Sequence, residues 1–358
     1  MTDRPFVCPF CPLHCDDLRI EELAERCDLF AGRLSLARQT KTNDPSYESS
    51  LATAAQWTTQ AKTIAVTGTI VDLETARAVC DFVQRSNANL YVDSGASDGF
   101  SEAIARDGMF SITLGDAAAP HQQVVLIGDS SKRLPRLRER LKTAGSIYSW
   151  QSTENLVDRL ASLRLMLKRP DLCQPGDDLD LAHTLNVCQK ESAVVFAIDV
   201  SQELDGQQRP FWSTLQGLLS ELNRRIRASV LRFDNSMTLR SVAAWSSDGP
   251  HPSAAAIRVP VDLEIHFSPW PAADTASMHV SEPFGRRRIT IGCAEGQSGA
   301  GSATAGDSCQ SIHLPAAMPG IASDGIVIRG DGSVTLPLSR ALESDLPTAS
   351  MILSRLFA

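Results

Sequence analysis

No stretch of this sequence is long and apolar enough to cross a bilayer. Its longest clearly apolar run, AVVFAIDV, falls far short of the roughly 20 residues a spanning helix needs. The opening MTDRPFVCPF has no basic patch followed by an apolar segment, so no secretory leader is expected and the expected location is the cytoplasm, with no membrane partner. A Lys/Arg stripe interleaved with aromatics is also missing, and the net charge is −8, which gives no general attraction to a phosphate backbone. The nearest basic runs are KRLPRLRERLK at 132–142 and GRRR at 285–288. In the first, Leu134, Leu137 and Leu141 mark one apolar helix face and leave the bases as the solvated one. Nucleic acid is therefore not an expected partner. Catalytic signatures are absent too: there is no H-E-x-x-H and no G-x-S-x-G. The strand-ending VTGTIVD carries one glycine instead of the G-x-G-x-x-G cradle, which removes the dinucleotide fingerprint. His251, His266, His279 and His313 are scattered, His183 reads as a packed or surface residue, and no catalytic residue is assigned.

What the sequence does have is cysteine in one place. Of nine cysteines, Cys8, Cys11, Cys15 and Cys27 lie in the first 27 residues at the spacing C-x2-C-x3-C-x11-C. Thiolates two and three residues apart converge from one loop, and a fourth from the next segment closes a four-sulfur shell. Pro9 and Pro12 disfavour a helix there. The alternative is four packed, inert thiols, because free cysteine is among the most buried residue types. For a metal centre, a 4Fe-4S cluster is the first choice and zinc the second. Asp16 and Asp17 follow directly and are expected to cap or pair, not to ligate. The loops around the cysteines read as poor in apolar residues that could order them without metal. The odd cysteine count and the metal spacing fit a reducing compartment.

At these residues the chain resembles a known family. C-P-F-C-x3-C-D-D, then Cys27 and Gly32 with one residue more than the usual Cys-x3-Gly, is similar to the B-type chain of formylmethanofuran dehydrogenase, in the molybdopterin oxidoreductase superfamily. The resemblance continues in YVDSGASDGFSEAI with ITLGD, in QVVLIGDSSKRLPRLRERL, in VDLEIHFSPWPA and in SIHLPAAMPGIASDGIVIRGDGSVTLPL, covering nearly the whole chain in order. In that family a bis-pterin tungsten or molybdenum atom is held partly by a cysteine or selenocysteine, and electrons leave through the nearby cluster. Three departures stand against that chemistry here. VDSGASDGFSEAI holds no cysteine, Asp98 being the nearest polar candidate. Asp129-Ser130-Ser131 replaces a pterin-facing turn, although Pro135-Arg136 is retained. Trp245 is followed by only a short SSDGPHP turn where the family has a long cofactor-lining excursion.

Two functions follow from the resemblance. The first is a non-redox scaffold subunit of the formyltransferase/hydrolase complex of tetrahydromethanopterin-linked one-carbon metabolism, with the other subunits as partners and no tungsto- or molybdopterin. The second is a working tungsten or molybdenum oxidoreductase subunit. The missing metal cysteine favours the first.

With 358 residues and 43% hydrophobic content the chain suffices for two or three domains. Alternating strands and helices predict an α/β protein with parallel sheets. The resemblance makes it molybdopterin-oxidoreductase-like: two parallel-sheet α/β units plus a small Cys-rich N-terminal segment. The expected division is 1–40 for that segment and 41–150 for the first α/β domain, leaving 151–358 for a helical connection, the second α/β domain and a C-terminal hairpin. Strands are expected at TIAVTG, NLYVD, QVVLIGD, SIYSW, SAVVFAIDV, SVLRFD, VDLEIHFS, MHVSE and RRITIGC. Asp72 is expected to cap a helix that presents Ala76, Val79, Cys80 and Val83 on one face. Residues 235–256 read as loop, AEGQSGAGSATAGDS as a flexible interval, and Arg329 to Asp331 as the turn of the hairpin IVIRGDGSVTL.

Overall fold

The computed structural model describes residues 5–39, 46–92, 108, 110–128, 133–150, 155–169, 193–198, 208–245, 253–254, 261–270, 285–293 and 310–357. By packing, the chain falls into two compact units that interleave along the sequence. One comprises Met1–Asp93, Asn235–Gly330 and Val334–Ala358, and the other Ser94–Asp234 with Asp331–Ser333. The expected linear division at 40 and 150 differs from this grouping. The reason lies in strand pairing.

In the first unit, helices α1 (Ile20–Arg26), α2 (Asp28–Gln39) and α3 (Tyr47–Gln60) precede strand β1 (Ile64–Gly68), helix α4 (Leu73–Ser86) and strand β2 (Asn89–Val92). The chain re-enters this unit after residue 234 with helix α9 (Met237–Trp245) and strands β7 (Ser253–Ala254), β8 (Val261–Ser268), β9 (Gly285–Gly292) and β10 (Gln310–Pro315). All six strands form one parallel sheet in the order β10-β9-β8-β1-β2-β7. Thus β1, near residue 65, pairs with β8 about two hundred positions later, Thr67 lying opposite His266. The hairpin β11 (Gly325–Ile328) and β12 (Thr335–Leu338) is antiparallel as expected, and helix α10 (Ala349–Leu356) closes the chain.

The second unit holds helix α5 (Leu114–Ala117), strand β3 (Gln122–Ile127), helix α6 (Leu137–Arg140), strand β4 (Ser146–Trp150), helix α7 (Leu156–Lys168), strand β5 (Ala193–Ile198), helix α8 (Gln208–Leu222) and strand β6 (Arg227–Arg232). Its sheet is parallel, in the order β4-β3-β5-β6. Every residue of β5 is buried, which is why AVVFAI reads as a continuous apolar run: helices or loops cover both faces of such a strand. Helices α7 and α8 pack on one face through Leu156, Leu160, Leu163, Phe211, Leu215 and Leu218. Leu134, Leu137 and Leu141 are buried as their spacing predicted. Arg136, 2% exposed, grips Glu139 through Nε to Oε2 at 2.9 Å and Nη2 to Oε1 at 3.0 Å.

Two segments correct the sequence reading. Residues 237–245 are helical, not loop, because Leu239, Val242 and Ala243 recur at three- and four-residue intervals and bury against α4. QSIHLP forms β10 although only Ile312 and Leu314 mark it as a strand. MHVSE, AEGQSGAGSATAGDS and His183 lie outside the described residues.

The first unit's sheet has two unlike faces. Val66, Leu263, Ile265, Phe267, Ile289, Ile291 and Leu314 join one core with α3, α4, α9 and α10. Strand alternation places Thr67, Glu264, His266 and Arg288 on the other. There Glu264 is fully buried, accepts a 2.7 Å hydrogen bond from the Thr67 hydroxyl and lies 3.5 Å from Arg288 Nε. His266 Nδ1 is 2.9 Å from the same hydroxyl. Burial, and then the charge of Arg288, push the His266 imidazole down from 6.5 to about 3. The Glu264 carboxylate, 3.9 Å from Nδ1, would favour the imidazolium, but Thr67 and Arg288 already engage it. In the folded chain His266 is therefore neutral while the unfolded chain takes up a proton near its ordinary pKa. The stability it contributes is complete above pH 6.5 and is lost as pH falls toward 3, at about 1.4 kcal/mol per pH unit. Urea unfolding across this range should show that slope in the wild type and a flatter one in His266→Gln. Equal slopes in both proteins would refute the assignment.

Candidate metal centre

The cysteine segment is built as a folded-back loop. Phe6 and Leu18 form an antiparallel bridge, Cys8 N donates to Cys15 O at 2.9 Å, and His14 N donates to Cys11 O at 3.0 Å. His14 adopts a left-handed backbone (φ 40°), which closes the turn between Cys11 and Cys15, and its Nδ1 sits 3.1 Å from Cys8 O. Pro9 and Pro12 stand in this loop outside any helix, as expected. Cys27 caps the carboxyl end of α1, donating to Leu23 O at 3.0 Å, and its own carbonyl accepts from Ala31 N in α2. It therefore stands at the break between two helices.

Contrary to the expectation from sequence, this segment has an apolar core of its own. Phe30 is fully buried, with its ring 5.8 Å from Phe6 and 5.5 Å from Phe10, both tilted or edge-on, and Leu13 and Leu23 are buried beside the loop. The aromatic positions are separated by up to 24 residues, so local composition hides them.

All four expected ligands, Cys8, Cys11, Cys15 and Cys27, are buried thiols outside any disulfide. Burial raises the Cys8 thiol well above its ordinary range, and the charges of Cys11, Cys15 and Cys27 raise it further; burial, Cys15 and Cys27 do the same to Cys11. The four sulfurs thus share one electrostatic neighbourhood. Among the described residues, however, no group of three or more His, Cys, Asp or Glu side chains is drawn together at ligating geometry. The donor set suits a soft metal or cluster in kind, because a cation offsets the burial that raises the Cys8 and Cys11 thiols.

One fixed cation already faces them. Arg33, buried in α2, feels the charges of Cys11, Cys8 and Cys27, donates from Nη1 to Phe10 O at 2.6 Å, and lies 5.8 Å over the Phe10 ring and 5.7 Å over that of Trp270. A single guanidinium cannot balance four thiolates. It can offset part of the negative charge that a cluster or zinc ion with four thiolates retains. The spacing of the cysteines does not reveal Arg33; its only signal in the sequence is its place on the same helix as the buried Phe30.

The loop is also clamped from outside. Trp270, two residues past β8, meets Phe10 edge-on at 5.9 Å. Gly330 N donates to Pro12 O at 2.9 Å, and buried Arg329 pairs with Asp16 at 2.7 Å. Asp16 is thus a pairing residue, as expected. Arg329, read from the sequence as part of a turn, also anchors the cysteine segment. The order in which the chain adds strands reverses between β1 and β8, a point where parallel sheets commonly admit ligands beyond the carboxyl ends of their strands. Gly68 (φ 93°) lies so close to Phe267 that a Cβ would stand 2.1 Å from its carbonyl oxygen, and the cavity beside Thr69–Asp72 is about 20 Å³. That is room for about one water. Asp98, Asp129-Ser130-Ser131 and the turn after Trp245 lie outside the described residues. No described helix is long and apolar enough to cross a membrane.

No family model matches the chain, and no curated protein matches it. Among solved structures it is similar to a chain of the formyltransferase/hydrolase complex FhcABCD from Methylorubrum extorquens, crystallised in complex with methylofuran. The TM-score is 0.65 at 18% identity, over 88% of this chain and 96% of that one. At such identity the likeness is one of fold, that of a mixed α/β chain with parallel sheets.

Proposed function

We propose that this chain is a B-type, non-catalytic scaffold subunit of a formyltransferase/hydrolase-like complex in one-carbon metabolism. The observation that carries this reading is the length-wide match in fold, 96% of the neighbour's chain being covered. The cysteine run and the late PGIASDGIVIRGDG segment point in the same direction, and the clamp of Arg329 and Gly330 ties the two to one local structure. In this reading Cys8, Cys11, Cys15 and Cys27 hold a 4Fe-4S cluster, with zinc as the second choice, and Arg33 offsets its charge. A cluster there supplies one-electron transfer in a redox relative; here its task is to hold the loop. The pterin-bound metal is absent in this proposal, because a ligand cysteine, a turn and a long excursion have all been replaced.

The test is purification of the tagged chain from its native extract, with iron, zinc, tungsten and molybdenum measured together. Hydrolase-like and transferase-like subunits should copurify, with iron or zinc but neither heavy metal, and Cys11→Ser should lose most of that iron or zinc. A chain that is monodisperse alone and brings down no such subunit refutes the scaffold role. Stoichiometric tungsten or molybdenum with formate-linked dye reduction restores the oxidoreductase reading instead.

A further inference from the structure

The amino ends of the strands in the second unit border a cleft that the scaffold role does not use. Its volume is about 830 Å³, within the range of small-molecule sites. Its lining includes Gln122, the first residue of β3, and Ser229 in β6, which are 3% and 7% exposed. The Gln122 Oε1 is buried and accepts no hydrogen bond, and its amide nitrogen has a long 3.5 Å approach to His121 Nε2. A buried amide left in this state costs about 1–3 kcal/mol, which a ligand able to pair with it would recover.

Above this floor stand the exposed guanidinium groups of Arg227 and Arg224, the latter 3.6 Å from Glu221, with Arg225 alongside, and one lining carboxylate, Asp116, which already accepts from the Thr113 hydroxyl at 2.7 Å. Phe110 completes the lining, 64% exposed yet held in place through its backbone: its carbonyl accepts from Val230 N at 2.8 Å, and Ile112 N donates to Val230 O at 3.0 Å. A large aromatic kept at such exposure on an anchored segment offers a stacking surface. Arginine forks match phosphate oxygens. A carboxamide presents a donor and an acceptor side by side, the pattern that reads the edge of a base.

We propose that this cleft binds a nucleoside phosphate, with the arginines on the phosphate, Phe110 on the face of the base and Gln122 on its edge. The site lies at the opposite end of its strands from a dinucleotide crevice and needs no glycine-rich loop. It stands independently of the scaffold role.

Isothermal titration of the full chain with AMP and GMP tests it. At least one nucleotide should bind saturably, while adenosine, guanosine and inorganic phosphate, each keeping only part of the contacts, should bind at least about tenfold more weakly. Arg227→Ala and Phe110→Ala remove exposed side chains that no core packing needs, and each should weaken nucleotide binding about tenfold or more. Gln122→Glu, which places a carboxylate on the floor, should abolish it. No saturable heat with either nucleotide at millimolar concentration, or binding unchanged in both Arg227→Ala and Phe110→Ala, overturns the proposal. An acidic peptide that binds where the nucleotides do not also overturns it, and assigns the cleft to a protein partner.

Discussion

Glu264→Ala should lower the unfolding free energy by about 3–5 kcal/mol, because it strands a charge inside the first unit. Glu264 is fully buried, and Arg288 is only 9% exposed. Taking a carboxylate and a guanidinium out of water costs several kcal/mol for each ion, which their mutual attraction and the hydrogen bond from Thr67 offset. Removing the carboxylate leaves that cost for Arg288 with nothing to balance it. Replacing both, as Glu264→Met with Arg288→Met, removes the two costs together and should recover most of the loss. The comparison separates a charge effect from a cavity effect, which the double replacement would not repair. Urea unfolding followed by tryptophan fluorescence measures it. A loss below about 1 kcal/mol in Glu264→Ala would mean that water reaches Arg288 in the folded state.

This buried pair also shows where the sequence is silent. Local features were legible: Asp72 caps α4 by accepting from Thr75 N at 2.9 Å, and Ala76, Val79, Cys80 and Val83 are buried on one face. These depend on neighbours within one or two helical turns. The parallel character of the sheets was legible as well, since strand and helix alternate. The assignment of strands to sheets was not. β1 and β2 read as continuing into β3 and β4, yet β1 takes β8 as its neighbour and β3 takes β5. Every strand involved has an apolar centre, so composition does not distinguish the alternatives. The alternating VDLEIHFS does carry a trace of the answer: its Glu264 and His266 demand polar partners on one face, and these are supplied by Thr67 and Arg288 from different parts of the chain.

The packing of the cysteine segment was half legible for the same reason. Spacing identified the four thiols, which sit within 20 residues of one another. It did not reveal Arg33, whose role depends on the turn between α1 and α2, nor Trp270, Arg329 and Gly330, which arrive from more than two hundred residues away. The clamp therefore predicts something the motif alone does not: residues far outside the cysteine run should govern its order.

Two glycine substitutions should consequently act in opposite directions. Gly32, the glycine that carries the family resemblance, lies exposed in α2 with nothing within 4 Å of where a Cβ would stand. Gly32→Ala should therefore stabilise the helix, by up to about 1 kcal/mol. Gly330 belongs to no resemblance at the cysteine run, yet a Cβ there would stand 2.4 Å from Pro12 Cβ and 2.7 Å from Pro12 O. The opposing atoms are ring and backbone, so no flexible side chain can yield, and overpacking of this kind typically costs about 1–3 kcal/mol. Pro12 lies directly after Cys11 and three residues before Cys15, so the displacement reaches two of the four thiols while leaving every cysteine in the chain. Gly330→Ala should lower the thermal midpoint, expose residues 1–40 to protease and reduce bound iron or zinc, whereas Gly32→Ala should keep all three at or above wild type. Wild-type protection and stability in Gly330→Ala would show that the cysteine loop is ordered from within, by Phe6, Phe10 and Phe30, and owes nothing to the distant segment that lies against it.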